Sequence, residues 1–182
     1  MKFDPQKHHR RSIRLKEFDY SAQGAYYVTI ATHHRQHAFG EIVNDEMQLN
    51  QFGQIARDEW FKAATLRPYV ELNEGEFVVM PNHVHGIIWI YDDSTTVGAR
   101  RRRAPTTIEQ FGKPVPHSIP TIIRAYKSAV TYAVNGAQDQ RGTPLWQTNY
   151  YEHVIRNEED LRAKCDYIAC NPLYWEDDDE YI

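Results

Sequence analysis

The stretch Phe77-Val-Val-Met-Pro-Asn-His-Val-His-Gly-Ile-Ile-Trp-Ile90 constrains the fold more than any other part of the chain. Its β-branched and aromatic residues favour strands over a helix, one over Glu76 to Met80 and one over His83 to Tyr91. Pro81-Asn82 between them is either a tight turn or a bend in one long strand. Side chains alternate along a strand, so His83 and His85 project from the same face and Val84 from the other. Two imidazoles on one rigid β-surface make half of a divalent-metal site. Two histidines on one strand face are more usually surface polar residues or a hydrogen-bonded pair, and alone the pair only suggests a metal site.

The remaining elements follow from periodicity. Ala25 to Thr32 is aromatic and β-branched and reads as a first strand. Phe52, Ile55, Ala56, Trp60, Ala63 and Ala64 fall at helical spacing ahead of Pro68, which predicts a helix over about Gln51 to Leu66. Asp92 to Pro116 has no period and reads as a mobile loop at about 92–117. Ser118 and Pro120 open a second helix with Ile119, Ile122, Ile123, Tyr126, Ala129, Val130 and Ala133 on its apolar face, and Asn135-Gly136 stops it. Tyr150 to Ile155 is a further strand candidate. Asn157 caps a third helix, with acids in its first turn and Pro172 at its end. This order predicts an α+β fold of ferredoxin-like type, with helices laid on one face of a central, mainly antiparallel sheet. A basic arm, 1–24, precedes a single domain, 25–182.

At 182 residues the chain can build one good core. It has no apolar run long enough to cross a bilayer, and its first residues lack the hydrophobic segment of a signal peptide, so a cytoplasmic, non-membrane protein is expected. Cys165 and Cys170 lie five apart, match no zinc motif and read as small buried hydrophobes without a disulfide. The net charge of −4 conceals segregation. Lys7, Arg10, Arg11, Arg14 and Lys16 form an acid-free basic stretch, and Arg100, Arg101, Arg102 and Arg103 are consecutive. The acids gather later, at Glu158 to Asp160 and Glu176 to Glu180. Phosphate affinity depends on such local patches, not on the sum.

On the third helix Leu161, Cys165, Ile168 and Ala169 form the buried stripe. Tyr167 and Asn171, four apart, stack on its shoulder. If the histidine face lies beneath this helix, Tyr167, Asn171, His83 and His85 converge. His153 reads as a structural or supporting residue, and His8, His9, His33, His34, His37 and His117 as surface or loop residues.

His83-Val84-His85 with its apolar flanks, Trp146-Gln147, Tyr150-Tyr-Glu-His-Val-Ile-Arg-Asn157 and Tyr167-Ile-Ala-Cys-Asn-Pro172 together resemble the single-tyrosine HUH transposases, most closely the REP-associated tyrosine transposase branch. Arg10-Arg-Ser-Ile-Arg-Leu15, Asp19-Tyr20-Ser21, Gly24-Ala25-Tyr26 and Val97-Gly-Ala-Arg-Arg101 are similar to one group within it. The likeness runs from about Arg10 to Trp175. It implies the HUH endonuclease fold and a metal-dependent enzyme that cleaves and rejoins single-stranded DNA at REP-like hairpins. Tyr167 would form a 5′-phosphotyrosine, and His83, His85 and Asn171 would hold Mg²⁺ or Mn²⁺. The same resemblance implies DNA contacts from Arg10, Arg11, Arg14 and Lys16, from Arg100 to Arg103, and from Arg124, Lys127 and Tyr150, the last by stacking. The protein would act as a monomer or homodimer. Two rivals share the fold: a non-catalytic hairpin-binding regulator, needing the arginines but not the His pair, Tyr167 or Asn171, and an RNA-binding protein.

Overall fold

In the computed structural model, residues 18–91 and 115–177 are described. Seven strands and three α-helices follow one another as β1 (Gly24–Ala31), β2 (Gly40–Val43), β3 (Glu46–Leu49), α1 (Gln51–Thr65), β4 (Val70–Glu71), β5 (Phe77–Val79), β6 (His83–Ile90), α2 (Ile119–Ala137), β7 (Tyr151–Ile155) and α3 (Glu158–Cys170). The main sheet is antiparallel throughout. β1 lies between β6 and β7, and β4 and β5 share the outer edge of β6. This is the mixed α and β architecture with a mainly antiparallel sheet that the element order predicts.

β5 and β6 pair as Phe77↔Gly86, Val78↔His85 and Val79↔Val84. Pro81-Asn82 is therefore a tight turn, not a bend in a continuous strand. Asparagine side chains cap the first and third helices, the third at Asn157 as predicted. Asn50 Oδ1 accepts from the Phe52 and Gly53 amides at 2.8 and 3.0 Å, and Asn157 Oδ1 accepts from the Asp160 amide at 2.8 Å. α2 continues past Asn135-Gly136 to Ala137.

Alternation divides the sheet into two unlike faces. Tyr26, Val28 and Ile30 of β1 and Val84, Ile88 and Ile90 of β6 join α1 and α2 in the main core, around Ala56, Trp60, Ile122, Ile123, Tyr126 and Val130. Gly86 belongs to this face: a Cβ there would stand 2.4 Å from Trp60 Cζ2. The Trp60 ring stacks on Phe77 at 4.6 Å, and the Tyr126 hydroxyl donates to Ala56 O at 3.1 Å. The intervening residues, Ala25, Tyr27 and Ile87, pack instead against Ile168, Leu161 and Cys165 of α3. The helices therefore lie on both faces of the sheet, not on one. Leu161, Cys165 and Ile168 form the stripe as predicted, but Ala169 and Cys170 are exposed. Both cysteines are free thiols.

The β2–β3 hairpin and the two-residue β4 have no counterpart in the periodicity. The hairpin turns on Asn44 and Asp45, both left-handed with φ of 52° and 62°, a pair of residues that tolerates that region. The proposed arm 1–24 (all but its last residues) and the loop at about 92–117 (all but its end) lie outside the described residues, and with them Arg10, Arg11, Arg14, Lys16 and Arg100 to Arg103.

Candidate functional site

Register assembles the site. On the α3 face, Ala31 stands opposite His83, Thr29 opposite His85, and Tyr27 opposite Ile87 on one side and His153 on the other. His83 and His85 are both buried, at 0% and 2% exposure. Their Nε2 atoms face each other at 2.8 Å. His83 Nδ1 lies 2.8 Å from Asn82 Oδ1. That oxygen only accepts, so Nδ1 carries a proton there, and Nε2 is the nitrogen turned toward His85. His85 Nδ1 lies 2.7 Å from the Tyr27 hydroxyl and 2.8 Å from that of Thr29. Hydroxyls both donate and accept. His85 can therefore place its proton on Nε2, donating to His83, or on Nδ1, donating to a hydroxyl, and stay hydrogen-bonded in both tautomers.

Burial, then the His83 ring, then the Lys164 ammonium hold His85 well below the ordinary imidazole range. It is neutral at pH 7, the form in which an imidazole binds a metal. The donor chemistry fits a divalent cation: two buried imidazoles, outer nitrogens held by Asn82, Thr29 and Tyr27, and the amide of Asn171 on the overlying helix. Among the described residues no group of three His, Cys, Asp or Glu gathers to hold a metal. A nitrogen pair completed by amide oxygen and water suits Mg²⁺ or Mn²⁺ better than a thiolate-rich zinc site.

α3 brings the other side chains over this pair. The Tyr167 ring stands 5.1 Å from the His85 ring and 6.4 Å from Tyr27, and remains 41% exposed. Such a phenol is within reach of a substrate. Asn171 is buried at the C-cap of the same helix. The chain then turns so that Trp175, itself buried, sets its ring 5.8 Å from His83 and 5.7 Å from His37. Tyr167 thus covers His85, Trp175 covers His83, and Asn171 lies between them in the chain.

His153 Nε2 donates to Asp160 Oδ2 at 2.8 Å, tying β7 to the first turn of α3. This hydrogen bond leads the causes that hold the Asp160 carboxyl below its ordinary range. Lys164, three residues before Tyr167 and so on the same side of α3, folds its ammonium over the Tyr27 ring at 4.8 Å. A cation–π contact of this kind contributes roughly 0.5–1 kcal/mol near a surface.

The remaining sequence candidates lie elsewhere. Lys127 donates to the carbonyls of Gln147, Thr148 and Asn149, at 2.5 Å to the first. Burial pushes its ammonium down to about 8. It clamps the segment entering β7, and its three donors are directed at backbone oxygens, not at a phosphate. Arg124 is exposed on α2, across the sheet from the histidines. Tyr150 is half-buried against the main core. Its neighbour Tyr151, 47% exposed, is the tyrosine on the site face, edge-on to Tyr27 at 6.4 Å. Tyr27, Thr29, Asn82, Lys164 and Trp175 escape the sequence reading. Tyr27 and Thr29 carried one usable signal, polar atoms two apart on a strand otherwise fit for the core.

No family model matches the chain. Over 182 residues it is 36% identical to an uncharacterized protein of Haemophilus influenzae, spanning all of this chain and 98% of that one. Over 95 residues, 52% of this chain and 46% of the relative, it is 26% identical to a protein of the same organism named "Putative REP-associated tyrosine transposase". The solved structure of a REP-associated tyrosine transposase bound to a REP hairpin superposes with a TM-score of 0.59 at 22% identity, over 91% of this chain and 74% of that one. At that identity the likeness establishes the fold. It bears out the resemblance read from the sequence motifs.

Proposed function

We propose, for a chain that belongs to one family with the 36%-identical Haemophilus influenzae protein and carries the fold of a REP-associated tyrosine transposase, that it cuts and rejoins single-stranded DNA through Tyr167. The observation that carries this reading is the buried Nε2 pair of His83 and His85 lying beside an accessible phenol on one helix.

His83, His85 and Asn171 would hold Mg²⁺ or Mn²⁺, which supplies positive charge to the non-bridging oxygens of the scissile phosphodiester. The Tyr167 oxygen attacks phosphorus as its proton passes to solvent. A P–O bond to tyrosine forms, the bond to the 3′ oxygen breaks, and that oxygen takes a proton from water. One phosphoester replaces another, so the reverse step rejoins strands without an external energy source. Asn82, Thr29 and Tyr27 keep the two imidazoles oriented throughout. α3 presents the phenol from above and its C-terminal turn shields His83 from water.

The substrate class is single-stranded DNA next to a hairpin; the structural relative is bound to a REP hairpin. The arm residues Arg10, Arg11, Arg14 and Lys16 and the run Arg100 to Arg103 supply the phosphate contacts.

The test mixes labelled hairpin oligonucleotides carrying single-stranded flanks with the protein and Mn²⁺ or Mg²⁺, and resolves products on a denaturing gel beside Tyr167→Phe. A metal-dependent covalent adduct that the variant lacks, with its melting temperature unchanged, is the expected result. Binding without cleavage by the unaltered chain would overturn the reading in favour of a hairpin-binding regulator. An adduct that survives in Tyr167→Phe would assign the chemistry to another tyrosine.

A further inference from the structure

Resting on that reading, we infer that the Lys164 ammonium is a substrate contact: it leaves the Tyr27 ring to meet a non-bridging oxygen of the phosphodiester that Tyr167 attacks.

Three observations converge on it. Lys164 sits one helical turn before Tyr167 on the side of α3 that faces the sheet, and it is partly buried, unlike its neighbours Arg162 and Ala163. Among the described residues its ammonium enters no ion pair: the carboxylate that acts on it across space, Asp160, is committed to His153 and to the Arg156 amide. Among the described residues its close partner is an aromatic face, the Tyr27 ring. A lysine held over a ring beside a nucleophile is a cation kept close to the site with its hydrogen-bond donors unspent, since a π face takes none of them as a phosphate oxygen would.

The reach of the charge supports the placement. The Tyr27 ring beneath it stands 6.4 Å from the Tyr167 ring, and the Tyr27 hydroxyl lies 2.7 Å from His85 Nδ1. An anion brought between Tyr167 and the histidines therefore lies within the field of Lys164. A flexible four-carbon stem lets the ammonium exchange the ring for that anion without moving the helix. The other described basic side chains considered for DNA contact are not available here: Lys127 is bound to carbonyls, and Arg124 lies across the sheet. In the reaction itself the lysine forms and breaks no covalent bond. It offsets negative charge as the phosphorus passes through five-coordination, a role most effective in a preorganised site.

The experiment compares Lys164→Met, which keeps a stem to cover Tyr27 but has no charge, and Lys164→Arg with the unaltered chain. Adduct formation is timed at saturating hairpin DNA, affinity is measured across a salt series, and each variant's melting is recorded. The expected result is adduct formation about 100-fold slower in Lys164→Met. Its plot of log affinity against log salt becomes shallower by about 0.7, the value for one lost phosphate contact on a single strand. Lys164→Arg recovers most of both, and melting stays unchanged. A Lys164→Met rate within about threefold of the unaltered chain with the same salt slope would overturn the inference. So would a rate loss that arginine leaves unrepaired with the slope unmoved, which assigns the residue to packing. Absence of any adduct from the unaltered chain would overturn the proposed function, and this inference with it.

Discussion

The two faces of one sheet are built by different physics. On the face under α1 and α2, nearly every side chain is apolar and buried, and α2 alone buries eight residues, from Ile119 to Asn135. On the face under α3, the strands contribute Tyr27, Thr29, His83 and His85, and α3 fully buries only Ile168. Apolar burial at about 25 cal/mol per Å² carries the first face. The second relies on it less, through the small cluster of Ala25, Tyr27, Ile87 and Ile168. To that cluster it adds a capping amide, one histidine–aspartate bond and hydrogen bonds among the site residues themselves. The first face supplies stability, and the second spends its positions on polar chemistry.

That contrast can be broken or sharpened by substitutions on either side. The largest expected effect is on the core face. Trp60→Ala removes the ring that stacks on Phe77 and meets Tyr126, and should cost about 3–5 kcal/mol in denaturant unfolding. An effect below about 1 kcal/mol would mean that the two faces share the load. Next comes the metal. In the unaltered chain Mn²⁺ at one hundred times its Kd should stabilise by about 2.7 kcal/mol, seen as a rise in melting temperature, and His85→Ala should abolish the rise. A shift that persists in His85→Ala would place the cation elsewhere. A smaller effect is expected at the α3 cap. Asn157→Ala removes the acceptor of the Asp160 amide and should cost about 1 kcal/mol, with amide exchange accelerated in α3 and unchanged in α1. Equal acceleration in both helices would contradict the division.

The smallest is pH dependence. The Asp160 carboxyl is held low, chiefly by the bond from His153, so the folded state binds this proton less readily than the unfolded chain. Its stabilisation is complete above the ordinary carboxylate pKa and is lost as pH falls through the depressed folded value. Acid unfolding of the Asp160→Asn variant should lack that component, and identical acid profiles for variant and unaltered chain would count against it.

The elements that bury a periodic apolar stripe were legible from residue order. β1, α1, β6, α2 and α3 lie within a residue or two of their expected bounds, because their packing partners and their local preferences agree. The β2–β3 hairpin is not legible because its strands are only four residues long, each with two apolar residues, too short for a period to stand out. Its turn is Asn-Asp, where Asn-Gly would have been conspicuous. The site was legible in its central residues, His83, His85, Tyr167 and Asn171, which carry motif spacing. Lys164 and Trp175 were not, since a lysine's partner and a tryptophan's direction depend on how α3 lies across the sheet. The placement of α3 on the second face was misread for the same reason: an order of elements does not specify a side.

The alternation along β1 has one more consequence. Tyr26, Val28 and Ile30 are wholly buried against α1 and α2, while their neighbours Tyr27 and Thr29 hold His85. Sliding β1 past β6 by a single residue would turn every one of these β1 side chains over, sending the Tyr27 and Thr29 hydroxyls into the apolar core and stripping His85 of its partners. The cost of that error falls on the core, although the geometry at stake is that of the site. Folding therefore proofreads catalytic alignment through a face that takes no part in the chemistry, and any molecule stable enough to persist has its histidines already in register.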